Sequence, residues 1–191
     1  MNLDSPEYTI DGKAARFLLA LARETIQCRL DGTPLPSPEP SDQKLLEPRG
    51  AFVTLKIQGR LRGCIGHVIG VAPLWRAVRD NAIAAAFKDP RFDPLQADEM
   101  LATHIEISAL TPLQRVDFRE VIVGRDGILL ERGLARGLLL PQVATEFGWD
   151  RETFLDHTCR KAGLDPGCWR HPDTTISTFT AEVFAEKRLN V

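Results

Sequence analysis

The chain has no excess of charge of either sign: 24 lysines and arginines stand against 26 aspartates and glutamates, a net of −2. A general nucleic-acid or membrane-surface binder concentrates basic residues, so both classes are disfavoured, although a local basic patch is compatible with this balance. Long apolar runs are missing too, and none approaches the roughly 20 residues that a membrane span needs. The opening MNLDSPEYTI has no basic cluster followed by an apolar stretch, so no signal peptide is expected and a cytoplasmic location is. Aromatic residues, only 7% of the chain, fall on helical and strand faces that read as core, a second argument against a nucleic-acid surface.

Cysteine is equally sparse. Cys28, Cys64, Cys159 and Cys168 lie far apart and form no CxxC, a pattern that fits reduced thiols in a reducing compartment. There is no P-loop, GxGxxG, GxSxG or HExxH. A cysteine phosphatase wants an arginine shortly after its thiol, and residues 65–75 contain none after Cys64. His157, Cys159, Cys168 and His171 invite a zinc reading. On a regular helix, however, His157 and Cys159 lie about 200° apart and could not hold one ion. Neither a metal nor a cofactor is expected.

What is present is an ordinary globular balance, 43% hydrophobic and 26% charged, enough for a sizeable core in one domain with or without a smaller lobe. Residues 11–30 carry Leu18, Leu21, Thr25 and Cys28 at helical spacing, with Asp11 as N-cap, so Cys28 is expected to be a buried small hydrophobe. The proline-rich residues 31–43 read as an extended loop. AFVTLKI, residues 51–57, alternates as a strand, and Gln58-Gly59 turns it back through RLRGCIGHV as a hairpin. A helix is expected through residues 72–87, with Pro73 near its start and Trp75, Val78, Ala82 and Ala85 on its apolar face. HIEISAL, residues 104–110, is a further strand. A β-rich stretch follows, then helices at PQVATEFG and 151–162, and ISTFTAEVFAE closes as a strand. Without a regular βαβ rhythm, the class is α+β, a mixed or antiparallel sheet with flanking helices.

The chemistry concentrates in RLRGCIGH, residues 60–67. Under strict strand alternation Arg60, Arg62 and Cys64 project from one face, and guanidinium groups beside a thiol favour the reactive thiolate. Gly63 and Gly66 remove bulk on either side, so that a ligand or another segment could approach closely. His67 falls on the opposite face and reaches Cys64 only if Gly66 breaks the strand. His104 and Glu106 share a strand face and could supply a general base with its orienter. Set against this, free cysteine is often simply buried, the arginines could be solvated edge charges, and a polar outer face suits a half-exposed sheet.

The motif LRGCIG, residues 61–66, resembles the signature of the AMMECR family. DPRF (Asp89–Phe92), IEIS (Ile105–Ser108), GRDGI (Gly124–Ile128), LLLPQVA (Leu138–Ala144) and KAGL (Lys161–Leu164) are similar to that family's sequence in the same order. Length and N-terminal helix resemble its bacterial branch, the AmmeMemoRadiSam system protein A. The resemblance implies a larger lobe made from both chain ends, a smaller inserted lobe, and the signature near a cleft between them. It also implies two partners, a Memo-like protein and a radical S-adenosylmethionine enzyme. Carried over by position, Arg62, Gly63, Gly66, Arg91, Gln142 and Lys161 become ligand-contact candidates, and Cys64 the candidate nucleophile for a small anionic ligand. The other readings are a non-catalytic partner or scaffold subunit of that system and, third, a nucleic-acid-binding module.

Overall fold

The computed structural model describes residues 9–186; most of the MNLDSPEYTI segment read for a signal peptide lies outside the described residues. The described residues divide into two compact units, one built from residues 9–110 together with 182–186, the other from Thr111–Ala181. The class is α+β, with one four-stranded sheet in each unit.

In the first unit, helix α1 (Gly12–Asp31) starts where Asp11 accepts hydrogen bonds from the Lys13 and Ala14 amides, and it ends at Gly32 in the left-handed conformation. A short helix α2 (Gln43–Leu46), capped by Asp42, closes the proline-rich loop. Strands β1 (Ala51–Ile57) and β2 (Arg60–His67) form the expected antiparallel hairpin. Gln58 and Gly59 both have positive φ, 51° and 78°, as a two-residue turn that follows the twist of its strands requires. Helix α3 (Leu74–Phe87) and strand β3 (Thr103–Leu110) follow. Val53, Leu55, Ile105 and Ile107 on one face of the sheet pack against Leu18 and Ile26 of α1 and Val78 and Ala82 of α3. The opposite face carries half-buried Phe52, Thr54, Lys56, Cys64, His104 and Glu106.

The second unit holds strands β4 (Gln114–Arg115), β5 (Gly127–Arg132), β6 (Ala135–Leu139) and β7 (Thr175–Phe179), in the order β4-β7-β5-β6. Helix α4 (Pro141–Glu146) has proline at its first turn, and α5 (Arg151–Lys161) is capped by Asp150. Phe154, Leu155 and Cys159 of α5 join Ile128, Leu130 and Ile176 in the core.

Three expectations are corrected. The closing ISTFTAEVFAE is two strands, because β7 ends at Phe179 and β8 (Ala181–Ala185) pairs in the other sheet, beside β3. Cys28 is half-buried and not part of the core. The cysteines are not all reduced: Cys159 and Cys168 form a disulfide between α5 and the turn at 168–170. His157, from the rejected zinc group, instead stacks on Trp149 with ring centroids 3.8 Å apart.

The disulfide closes a loop across a sequence separation of 9, for which loop entropy gives about 2–3 kcal/mol. Replacing both Cys159 and Cys168 by alanine is expected to lower unfolding stability by that order, measured by urea titration, and reductant is expected to have no further effect on that double variant.

Candidate functional site

Among the described residues strand β2 lies at the edge of its sheet, with β1 as its neighbouring strand. Its register with β1 slips once, so that Leu61 faces Lys56 and Gly63 faces Leu55, leaving Arg62 without a counterpart. This bulge overturns strict alternation: Arg60, Arg62 and Cys64 do not stand in one row. Cys64 faces Thr54, and Thr54 on its other side faces Glu106, so the three side chains form a row across three strands. The Thr54 hydroxyl donates to Cys64 Sγ at 3.2 Å. Lys56 Nζ donates to Glu106 Oε2 at 2.9 Å on the same face.

The outer edge of β2 is closed by the segment after α3. Buried Asp89 accepts the Cys64 amide N–H at 2.8 Å, and Arg91 Nη2 donates to the Cys64 carbonyl at 3.1 Å. Arg91 also holds Asp89 with two of its nitrogens, Nε at 2.9 Å and Nη2 at 2.7 Å. A carboxylate and a guanidinium thus do for Cys64 what a neighbouring strand's carbonyl and amide would do. The Arg91 guanidinium, followed by the Cys64 and Arg91 amides, pulls the Asp89 carboxyl far below the usual carboxylate range, and Asp89 in turn raises the Arg91 value.

Arg62 makes a bidentate pair with Glu99, 2.8 and 2.9 Å, and donates to the Asp93 carbonyl at 2.9 Å. That pair lowers Glu99 and raises Arg62. Arg62 is therefore matched by Glu99, and Arg91 by Asp89, while Arg91 also interacts with Cys64, whose Sγ accepts from the Thr54 hydroxyl.

The two signature glycines border the chain itself. A Cβ on Gly63 would lie 2.1 Å from the Ala85 carbonyl oxygen, so α3 packs at this depth only over glycine. A Cβ on Gly66 would lie 2.4 Å from the Phe52 ring, which occupies that space across the hairpin.

The remaining candidates are spread out. His67 is on the face away from Cys64, its Nδ1 3.2 Å from Asn81 Oδ1 of α3. His104 and Glu106 share a face but do not pair: His104 Nε2 meets the Glu186 carbonyl at 2.6 Å, while Glu106 holds Lys56. Gln142 on α4 and Lys161 at the end of α5 are exposed residues of the second unit. Sequence reasoning missed Thr54, Asp89 and Glu99. Asp89 was within reach, since it opens the quoted DPRF and an Asp-Pro after a helix offers a fixed, short carboxylate. Thr54 and Glu99 become visible only through register and tertiary contact. Among the described residues no His, Cys, Asp or Glu cluster is arranged to hold a metal ion.

Two antiparallel-sheet units, a glycine-flanked thiol on an edge strand and the Asp-Pro-Arg clamp on that strand define an α+β protein of one recognisable kind. The AMMECR1 family model matches residues 19–184, and the chain belongs to that family. A protein of Thermococcus gammatolerans is 43% identical over 94% of each chain, and one of Methanothermobacter thermautotrophicus is 46% identical over 90% of this chain and 93% of its own. The crystal structure of an uncharacterized protein from Pyrococcus horikoshii, PH0010, is 42% identical and superposes with a TM-score of 0.81, covering 93% of this chain and 94% of that one. These relatives are archaeal and bear no functional name, so the bacterial branch suggested by the resemblance is not specifically indicated.

Because its folded-state value lies below its unfolded one, Asp89 contributes stability that is complete above about pH 4 and lost as pH falls toward the lowered value. Asp89→Asn is expected to cost about 1–2 kcal/mol at pH 7, since Arg91 is 54% exposed and its attraction is screened. Urea titrations of both proteins should show that gap narrowing at pH 3; a gap that stays constant or widens would contradict this account.

Proposed function

We propose that this AMMECR1-family protein handles a small anionic ligand on the Cys64 face of its first unit, with Cys64 as nucleophile or covalent carrier. The observation that carries this reading is a contrast at one residue. The main chain of Cys64 is gripped from the edge by a buried carboxylate and a guanidinium, while its side chain stands half-buried with a hydroxyl bonded to the sulfur. A donated hydroxyl hydrogen bond stabilises a thiolate more than a thiol, which favours attack. Arg91 is the cation placed to meet the ligand's charge: its side chain is 54% exposed and Nη1 takes no part in the bonds to Asp89 and Cys64. Arg62, only 16% exposed and held at both ends by Glu99, keeps the strand edge in place.

The test is alkylation by iodoacetamide in Cys28→Ser protein with the disulfide intact, followed by mass spectrometry. Cys64 is expected to be modified in the folded state, and Thr54→Val to slow the reaction about fivefold, the equivalent of one hydrogen bond of ~1 kcal/mol. A Cys64 that reacts only after unfolding would remove the chemical reading.

A second reading, a non-catalytic subunit alongside a Memo-like protein and a radical S-adenosylmethionine enzyme, is favoured by the loop leaving β2. Ile69 and Val71 there are 46% and 87% exposed. Docking would use this loop, because the strand edge beside Cys64 is filled by residues 89–93. Co-expression with both partners should give a complex that Val71→Asp weakens; failure of the three chains to co-purify would count against it.

A further inference from the structure

The second unit contains a cleft of about 440 Å³, lined among others by Arg132, Asp165, Cys168, Arg170 and His171. That volume is the size of a small metabolite's site and exceeds what a bare ion fills. Its rim is held at several points. Asp156 Oδ1 accepts from the Gly167 amide and from Trp169 Nε1, both at 2.7 Å. Thr174 donates to the Cys168 carbonyl at 2.7 Å, and the disulfide ties Cys168 to α5. The loop that carries Arg170 and His171 is therefore preformed, so little ordering would oppose binding.

The donors converge by chemistry as well as by place. Arg170 lies 3.7 Å over the Trp169 ring and gives Nη2 to Glu152 at 2.9 Å, which fixes its plane and leaves its other nitrogens unused by that pair. His171 Nδ1 accepts from the Asp173 amide at 3.2 Å, so in the neutral ring Nε2 carries the proton and is the donor. Arg132, at the end of β5, is half-buried and has no carboxylate within ion-pair distance among the described residues. Arg170 is matched by Glu152, and His171 has the Asp173 carboxylate 3.7 Å from Nδ1, so Arg132 is the guanidinium of this cleft whose charge an oxyanion would complete.

We propose that this cleft binds a small carboxylate- or phosphate-bearing metabolite, with the oxyanion on Arg132, Arg170 and His171 and a neighbouring hydroxyl or ammonium of the ligand donating to Asp165. The site is built wholly from residues of the second unit and does not rest on the reading given to Cys64.

Calorimetric titration of the full, disulfide-intact chain with inorganic phosphate, L-malate and L-serine O-phosphate tests it and separates the two oxyanions. Saturable binding of malate or phosphoserine is expected, weakened roughly tenfold or more by Arg132→Gln and less by Arg132→Lys. Arg132 has no ion pair to lose, so the melting temperature of Arg132→Gln should match that of the wild type. Asp165→Asn is expected to weaken the hydroxyl- or ammonium-bearing ligands while leaving phosphate unchanged or tighter. Cys64→Ala should bind as the wild type does. No saturable binding of any of the three, equal affinity in Arg132→Gln, or loss of binding in Cys64→Ala would each overturn the proposal.

Discussion

The first unit depends on one substitution of chemistry: at Cys64 a carboxylate and a guanidinium take the place of a neighbouring strand. An edge strand leaves amide and carbonyl groups unpaired, and such edges invite unwanted pairing. Here Asp89 takes the Cys64 amide and Arg91 its carbonyl. The arrangement follows from what precedes it. Helix α3 can settle onto β2 because Gly63 presents no Cβ to the Ala85 carbonyl. The helix then ends at Lys88, Pro90 directs the chain along the strand, and Asp89 arrives at the amide. LRGCIG and DPRF, distant in sequence, are thus two halves of one structural device.

That device changes the electrostatic reading of the thiol. Arg60 and Arg62 close to Cys64 in sequence imply a cation-activated sulfur, but Arg62 is paired with Glu99 and the bulge takes Arg60 off the Cys64 row; the cation that interacts with Cys64 is Arg91, itself paired with Asp89. The Thr54 hydroxyl bonds the sulfur, Arg91 interacts with Cys64, and the Glu106–Lys56 pair stands on the same face.

Sequence was most informative where structure is local. Asp11, Pro73, Pro141 and Asp150 announce helix starts through their own backbone chemistry, and Gln58-Gly59 between alternating strands announces a hairpin. It was least informative where two distant segments decide the outcome. The bulge at Arg62 is a property of pairing with β1, invisible to alternation counted along β2 alone. The break at Thr180 interrupts an apolar pattern that reads as continuous, and only the choice of sheet reveals it. The Cys159–Cys168 bridge was hidden because a cysteine on a helical apolar stripe looks like any buried cysteine until the returning turn is placed beside it. At the site, Cys64, Arg62 and Arg91 could be named from the sequence; Asp89 stood in the quoted DPRF without a role, and Thr54 and Glu99 could not be assigned.

Within RLRGCIGH, most positions are accounted for by the fold. Gly63 lets a helix approach, Gly66 lies against a phenylalanine ring, Ile65 packs on the core, and Arg62 ties the edge to Glu99. The Cys64 sulfur is different. It lies outside the apolar core, forms no disulfide, and its bonded partner, the Thr54 hydroxyl, would serve an oxygen at least as well. The clamp that fixes this residue acts on its main chain and would hold alanine or serine equally. Packing therefore explains why residue 64 is held so firmly but not why it is a cysteine.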